Sequence, residues 1–284
     1  MGGKRIRPLL VLIAADCFKG DVRRALPAAA AVELFHNFSL IHDDIMDKAP
    51  MRRGHITVHE KWNSNIAILG GDVLLVKAYQ QMARCDNKLS NEIFSRTAIE
   101  VCEGQQWDMD FETRADVTLD QYLHMIKLKT AVLLAASLQM GAVCAGAGNK
   151  ESEIFYTAGE NLGMAFQLTD DYLDVFGNAD KTGKQQGGDI IANKKTWLLL
   201  KAYELAGKDL KAELNQWMGF GANAEEKVKA VKKIFMDLGV HTQLEKQIDK
   251  YYQKAAADLR AACPNTEKVE VFIEFTQSLA KREK

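Results

Sequence analysis

Proline is scarce in this chain of 284 residues. Its four copies, Pro8, Pro27, Pro50 and Pro264, each stand where a helix can begin or has already ended. No alternating apolar–polar run argues for a strand, and no Ser/Gly/Pro-rich linker divides the sequence. Neither sign of charge dominates. Thirty-seven Lys and Arg face 38 Asp and Glu, a net charge of −1, so no overall field drives binding to nucleic acid or to an anionic membrane surface. The five cysteines, Cys17, Cys85, Cys102, Cys144 and Cys263, show no CxxC or other metal spacing. They are expected as reduced, mostly buried thiols of a cytoplasmic protein. The N-terminus lacks the apolar core of a signal peptide. One nearly uncharged stretch, 131–148, has the length of a membrane span, but Ser137, Gln139 and three glycines dilute it. It is expected as a buried helix of a soluble bundle.

What is present is helical. Ala, Leu, Lys, Glu and Gln dominate, and apolar residues recur at helical spacing. The pattern predicts helices near 8–19, 25–48, 65–84, 90–113, 118–147, 150–177, 193–206, 208–219, 223–238, 240–262 and 265–282. We read residues 1–284 as a single all-α domain.

Against that background two acidic clusters stand out, Asp43-Asp44-Ile45-Met46-Asp47 and Asp170-Asp171-Tyr172-Leu173-Asp174. Spacing of i and i+4 puts Asp43 with Asp47, and Asp170 with Asp174, on one helix face. Like charges at that spacing repel, and anions at a helix C-terminus oppose the macrodipole. Two such arrangements imply bound cations. Oxygen-only ligand sets suit Mg²⁺, which is commonly held by a few carboxylates together with substrate phosphates. A single DDxxD would read as a solvated helix end. Two copies, each preceded by an apolar helix and followed by a basic loop (48–62 and 178–192), reverse that reading. Arg52 and Arg53 follow Asp47 closely and suit a phosphate clamp. Lys184 and Lys194 flank a Gly187-Gly188-Asp189 turn, and Lys129 and Thr130 open the most apolar helix. Lys4, Arg5 and Arg7 sit beside Gly2-Gly3 before a helix start, a layout suited to an anion. His36 lies seven residues before Asp43, and Asp108 adds one more carboxylate in a Gly-Gln-Gln-Trp-Asp run.

Together these segments resemble the trans-isoprenyl diphosphate synthases, the head-to-tail polyprenyl synthetases. The resemblance runs in order from residue 2 to about 205, through GGKRIRP, LIHDDIMD, RRG with His59 following, GGDVLL, GQQWD, KT, FQLTDDYLD and GKQQGGDI with Lys194. It implies one all-α bundle around a deep central cavity, usually a homodimer. Asp43, Asp47 and Asp170, supported by Asp44, Asp108, Asp171 and Asp174, would gather three Mg²⁺ around the diphosphate of an allylic substrate. Arg52, Lys129, Lys184 and Lys194 would hold that diphosphate, and Thr130 and Gln167 would shape the reacting centre. Gly3, Lys4, Arg7, His36 and Arg53 would bind the diphosphate of isopentenyl diphosphate. Asp43, Asp47, Asp170, Lys129 and Lys184 would thus carry the catalysis. Family members usually have a further helix ahead of the GGKRIRP segment, and this sequence begins at that segment.

The product is expected to be set by Phe38 and Ser39, five and four residues before Asp43. At roughly 1.5 Å per residue, Phe38 lies about 7–8 Å deeper along the helix, where a large ring acts as a floor for the growing chain. The family likeness then implies geranylgeranyl diphosphate first and farnesyl diphosphate second. A terpene cyclase or head-to-head condensing enzyme would share the bundle but not the basic site of Lys4, Arg7 and Arg53. A non-catalytic regulatory subunit would carry degraded acidic motifs, and a purely structural bundle would need none.

Overall fold

The computed structural model describes residues 3–18, 20–177, 186–219 and 223–281. Their regular structure is helical apart from one short hairpin. The helices are α1 (Ile6–Cys17), α2 (Leu26–Met46), α3 (Val58–Lys61), α4 (Ser64–Met82), α5 (Lys88–Thr113), α6 (Leu119–Ile126), α7 (Val132–Cys144) and α8 (Asn149–Phe176). They are followed by Gly188–Ile191, Trp197–Leu205, Lys208–Gly219, Ala224–Asp237, Val240–Ala262 and Thr266–Lys281. Starts follow local chemistry. Pro27 occupies the first turn of α2, the Asn63 side chain caps α4, and Thr118 with Gln121 forms a reciprocal capping box on α6.

Two features depart from the sequence reading. A hairpin, β1 (Met51–Arg52) with β2 (His55–Ile56), pairs antiparallel with Arg52 opposite His55. Two residues per strand are too few to leave an alternating pattern. The long helix expected over 118–147 is also interrupted, because Lys127–Ala131 is wound as a π-helical segment between α6 and α7.

The chain forms two compact units. The first comprises Met1–Val101, Val132–Gly159 and Asp258–Phe272. Here α2 packs chiefly on α4 and α1 on α7. Every residue of α7 is buried, which accounts for its freedom from charge. Gly141 permits the α1–α7 approach, since a Cβ there would overlap the carbonyl oxygen of Val11. The second unit comprises Cys102–Ala131, Glu160–Ala257 and Ile273–Lys284. Its core includes Phe111, Tyr122, Leu168, Trp197, Phe235 and Leu244. Gly104 lets α5 lie directly on the backbone of Leu128 and Lys129 in the π segment. Among the cysteines, Cys17, Cys85 and Cys144 are buried, Cys263 is half-buried and Cys102 is exposed.

Two glycine replacements should separate packing from propensity. Gly141→Ala is expected to lower unfolding stability by about 1–3 kcal/mol through overpacking. Gly70→Ala, in the interior of α4 with no atom within 4 Å of the added methyl, should raise it by roughly 0.5–1 kcal/mol. Urea midpoints of the two variants check both signs.

Candidate active site

In the first unit α2 ends inside the acidic motif. Asp47 is its C-terminal cap, and the backbone closes with Lys48 N donating to Ile45 O (3.3 Å) and Ala49 N donating to Asp44 O (2.9 Å). That is a Schellman ending, which favours glycine at the left-handed position; here Lys48 takes it at φ 50°. The chain then turns through the hairpin, whose two loop residues, Arg53 at φ 52° and Gly54 at φ 76°, make a primed turn. Gly54 meets that requirement easily, whereas Arg53 holds a conformation unfavourable for a side-chain-bearing residue. The result is directional. Arg52 donates to Asp43 Oδ2 (2.9 Å) and to Asp44 Oδ1 (2.6 Å), while the Arg53 guanidinium lies beside Gly3, where a Cβ would fall 2.5 Å from Nη1.

Arg7 reaches the same neighbourhood from α1. Its Nη1 donates to His36 Nε2 at 3.2 Å, and its buried Nε has no hydrogen-bond partner. Burial, and then the nearby Arg53 charge, lower the Arg7 pKa to about 10. Burial and the charges of Arg7, Arg53, Arg52 and Arg5 depress His36 to about 2, so its ring stays neutral. Cations crowded in this way form a receptor for an anion. Asp44 is buried, and its pKa is raised by desolvation against the opposing pull of Arg52.

The second unit carries the other motif on α8. Asp170 is exposed and Asp171 is buried, since neighbours on a helix point about 100° apart. Both Asp171 oxygens are engaged. Oδ2 accepts from the Tyr122 hydroxyl (2.5 Å) and from Trp197 N (3.4 Å), and Oδ1 from Gln167 Nε2 (3.2 Å). Burial, the leading cause, lifts its pKa to about 7. Gln167 Oε1 in turn accepts from Thr130 Oγ1 (2.9 Å), and Lys129 pairs with Asp108 at 2.5 Å. Lys129 and Thr130 both lie on the π segment, a local rewinding frequently found at functional sites. Asp174 anchors the returning chain: its Oδ2 accepts from Asp189 N (3.0 Å) and its carbonyl from Gly187 N (2.7 Å). Lys194 N donates to Asp189 O (2.9 Å). Lys184 lies outside the described residues.

The structure therefore groups Gly3, Arg7, His36, Asp43, Asp44, Arg52 and Arg53 in one unit, and Asp108, Lys129, Thr130, Gln167 and Asp171 in the other. Asp171 and Asp174, expected to support metal ions, accept hydrogen bonds from the protein. Sequence reasoning missed Tyr122, whose partner lies 49 residues away. It also missed the backbone of Trp197, which leaves no composition signal.

The model of the polyprenyl synthetase family matches residues 1–237. The chain belongs to that family. A geranylgeranyl diphosphate synthase of Methanosarcina mazei is 38% identical over 270 residues, covering 93% of this chain and 82% of that protein. The crystal structure of a geranylgeranyl pyrophosphate synthase superposes with a TM-score of 0.94 at 46% identity, covering 100% of this chain and 89% of the other. A polyprenyl synthase from Caulobacter crescentus, solved with calcium and isoprenyl diphosphate, gives a TM-score of 0.89 at 32% identity, with 100% and 86% covered.

For a polyprenyl synthetase the donor chemistry fits a hard divalent cation, because the acidic motifs offer carboxylate oxygens without thiolates. Among the described residues no three or more His, Cys, Asp or Glu side chains cluster to hold a metal alone. Mg²⁺ sites of the kind completed by substrate phosphates need only one or two carboxylates.

Beneath the first motif, Phe38 is braced by aromatic rings. Its centroid lies 5.4 Å from Phe35 and 4.7 Å from His42, and Phe35 lies 5.6 Å from Phe94, which meets Tyr79 at 5.2 Å. Gly71 of α4 gives the His42 ring its room, since a Cβ there would overlap it. The Ser39 hydroxyl donates back to His36 O (2.9 Å).

The depressed His36 pKa makes a prediction about acid stability. In the unfolded chain His36 takes up a proton below about pH 6.5, while the folded form does not. Folding stability from this residue is therefore present above that pH and lost below it. Going from about pH 7.5 to about pH 5.5, the wild type should lose roughly 1 kcal/mol more than His36→Gln. Urea unfolding of both proteins at the two pH values measures the difference.

Proposed function

We propose that this protein condenses isopentenyl diphosphate head-to-tail with an allylic diphosphate, with geranylgeranyl diphosphate as its main product. One observation carries the reading: each unit holds an acidic motif together with a cation paired to a carboxylate, Arg52 with Asp43 in the first and Lys129 with Asp108 in the second, within one chain that the family model spans across both units. The geranylgeranyl synthases among the relatives, and the braced Phe38, support the C20 product. We take residues 1–284 as one catalytic domain.

The first task of the chain is to bind two diphosphates without mixing them up. Arg7, Arg53 and Lys4, with neutral His36 and the open backbone at Gly3, hold isopentenyl diphosphate. Asp43, Asp47 and Asp170 would hold Mg²⁺, three ions on our reading, and Arg52, Lys129, Lys184 and Lys194 would contact the oxygens of the allylic diphosphate. When bound, Mg²⁺ supplies positive charge that neutralises the leaving diphosphate. The arginines and lysines add to that neutralisation as the allylic C–O bond breaks, leaving an allylic cation and free diphosphate. Holding the isopentenyl double bond against that cation makes the new C–C bond effectively intramolecular. Bond formation leaves a tertiary cation on the isopentenyl unit. A proton then leaves from the carbon between that centre and the one bearing the diphosphate, restoring a double bond, and the departed diphosphate accepts the proton. No side chain need act as nucleophile. Thr130 and Gln167, hydrogen-bonded to each other, orient the reacting centre.

We also read the active form as a cytoplasmic homodimer. In its support, α4 presents Ile66, Leu69, Val73 and Val76 exposed at i, i+3, i+7 and i+10, and Ile99 is exposed on α5. An apolar stripe of this kind is normally covered by a partner.

The decisive test is incubation with Mg²⁺, isopentenyl diphosphate and dimethylallyl, geranyl or farnesyl diphosphate in turn, followed by chain-length analysis. A C20 main product is expected, and no elongation from any starter would sink the enzyme reading. Asp43→Ala should lower kcat by about 10²–10³-fold, in line with loss of an electrostatic catalytic group, with the thermal midpoint little changed. Phe38→Ala should shift products beyond C20; an unchanged product length would remove Phe38 as the floor.

A further inference from the structure

Among the described residues Lys227 is one of few buried charged side chains, 3% exposed on the Ala224–Asp237 helix. Its ammonium donates to the side-chain oxygen of Asn193 and to Ile191 O (3.4 Å). Both acceptors are neutral. Its pKa is lowered by desolvation, with no carboxylate raising it back. A neutral donor would satisfy the same two oxygens, so an uncompensated buried cation is a costly choice for fold alone.

What Lys227 grips is informative. Asn193 stands in the left-handed region at φ 57° and immediately precedes Lys194. One residue along the same helix, Val228 fills the space where Gly187 would carry a Cβ (2.7 Å to either methyl). The helix therefore touches the 187–194 segment at both ends, while Asp174 of the acidic motif holds it through Asp189 N. With the backbone fixed at Gly187, Asp189, Ile191 and Asn193, the direction in which residue 194 leaves the turn is fixed too.

We propose that Lys227 is a positioning residue that aims Lys194 at the allylic diphosphate by locking the left-handed turn at Asn193. The inference rests on the reading of Lys194 as a ligand of that diphosphate. Lys227 itself need not touch substrate, and its buried charge adds to the field in which the anion binds.

The test is a double-mutant cycle of Lys227→Met and Lys194→Ala, with Asn193→Gly as an independent cut of the same link. Glycine keeps the left-handed backbone but removes the side-chain acceptor. Lys227→Met should raise KM for the allylic diphosphate about tenfold, change KM for isopentenyl diphosphate less than twofold, and leave the urea midpoint unchanged or higher. Asn193→Gly should move the allylic KM in the same direction. Because Lys227 acts through Lys194, the double variant should be no worse than Lys194→Ala alone. Fully additive losses, or equal rises in both KM values, would overturn the inference. An effect of Lys194→Ala with none from Lys227→Met or Asn193→Gly overturns this inference alone. No effect of Lys194→Ala overturns both it and the assignment of Lys194.

Discussion

The second unit depends on a carboxylate buried away from solvent, Asp171. It meets donors from three other places in the chain: the Tyr122 hydroxyl on α6, the Trp197 backbone, and Gln167 one turn earlier on α8. A buried carboxylate stripped of such donors costs several kcal/mol, so each donor is held by the penalty of losing it. Through Gln167 the constraint extends to Thr130 and hence to the π segment that carries Lys129. Gly104 removes the last steric obstacle, letting α5 lie against that segment so that Asp108 reaches Lys129. Adjacent residues thus divide the labour. Asp171 ties elements together, and Asp170, about 100° round the helix, is left facing solvent.

The first unit solves a different problem, because it gathers several cations and must send them in different directions. Its device is backbone strain. Arg5, Lys48 and Arg53 all sit at positive φ, each at about 1–2 kcal/mol for a residue with a Cβ. The Lys48 ending turns the chain sharply after Asp47, and the primed turn splits Arg52 from Arg53. Arg52 goes to Asp43 and Asp44, whereas Arg53 goes towards Gly3 and Arg7. Two neighbouring arginines with regular strand geometry would point to opposite faces. Here the turn adds a change of direction that alternation alone does not give. Arg7 and His36 complete the cationic cluster with a neutral imidazole, which accepts from an arginine without adding charge.

Much of this was legible in the sequence, for a physical reason. Helix periodicity, proline placement and the i, i+4 spacing of Asp43/Asp47 and Asp170/Asp174 are local properties, and local properties survive in a one-dimensional string. Burial does not. The seven aspartates read as one class of metal support, yet Asp44 and Asp171 are buried and Asp174 holds a backbone amide. The 118–147 helix was located correctly, but the one extra residue per turn that makes Lys127–Ala131 a π segment carries no compositional mark. The hairpin was invisible for want of length, although Arg53-Gly54 holds its trace in a glycine that tolerates φ 76°. Lys227 carries no mark in the sequence, because an amphipathic Lys/Glu helix gives no hint of which lysine turns inward.

Product length is in the end a question of packing rather than of chemistry, because every condensation cycle makes the same bond. On the proposed reading, a floor under the first motif would restrain the growing chain only if it did not yield. Phe38 alone would be a poor stop, since one ring can swing between rotamers at modest cost. Its contacts change that. Phe35 is fully buried beside it and packs on Phe94, which in turn packs on Tyr79, so displacing Phe38 disturbs a run of packed rings. Each such pair contributes about 0.5–1.5 kcal/mol beyond simple burial. Ser39, a small residue, turns its hydroxyl back to its own helix backbone. On this view the stop is a property of α2, α4 and the first half of α5 together. On the proposed reading, substitutions at Phe35 or Phe94 would bear on product length by loosening the same wall.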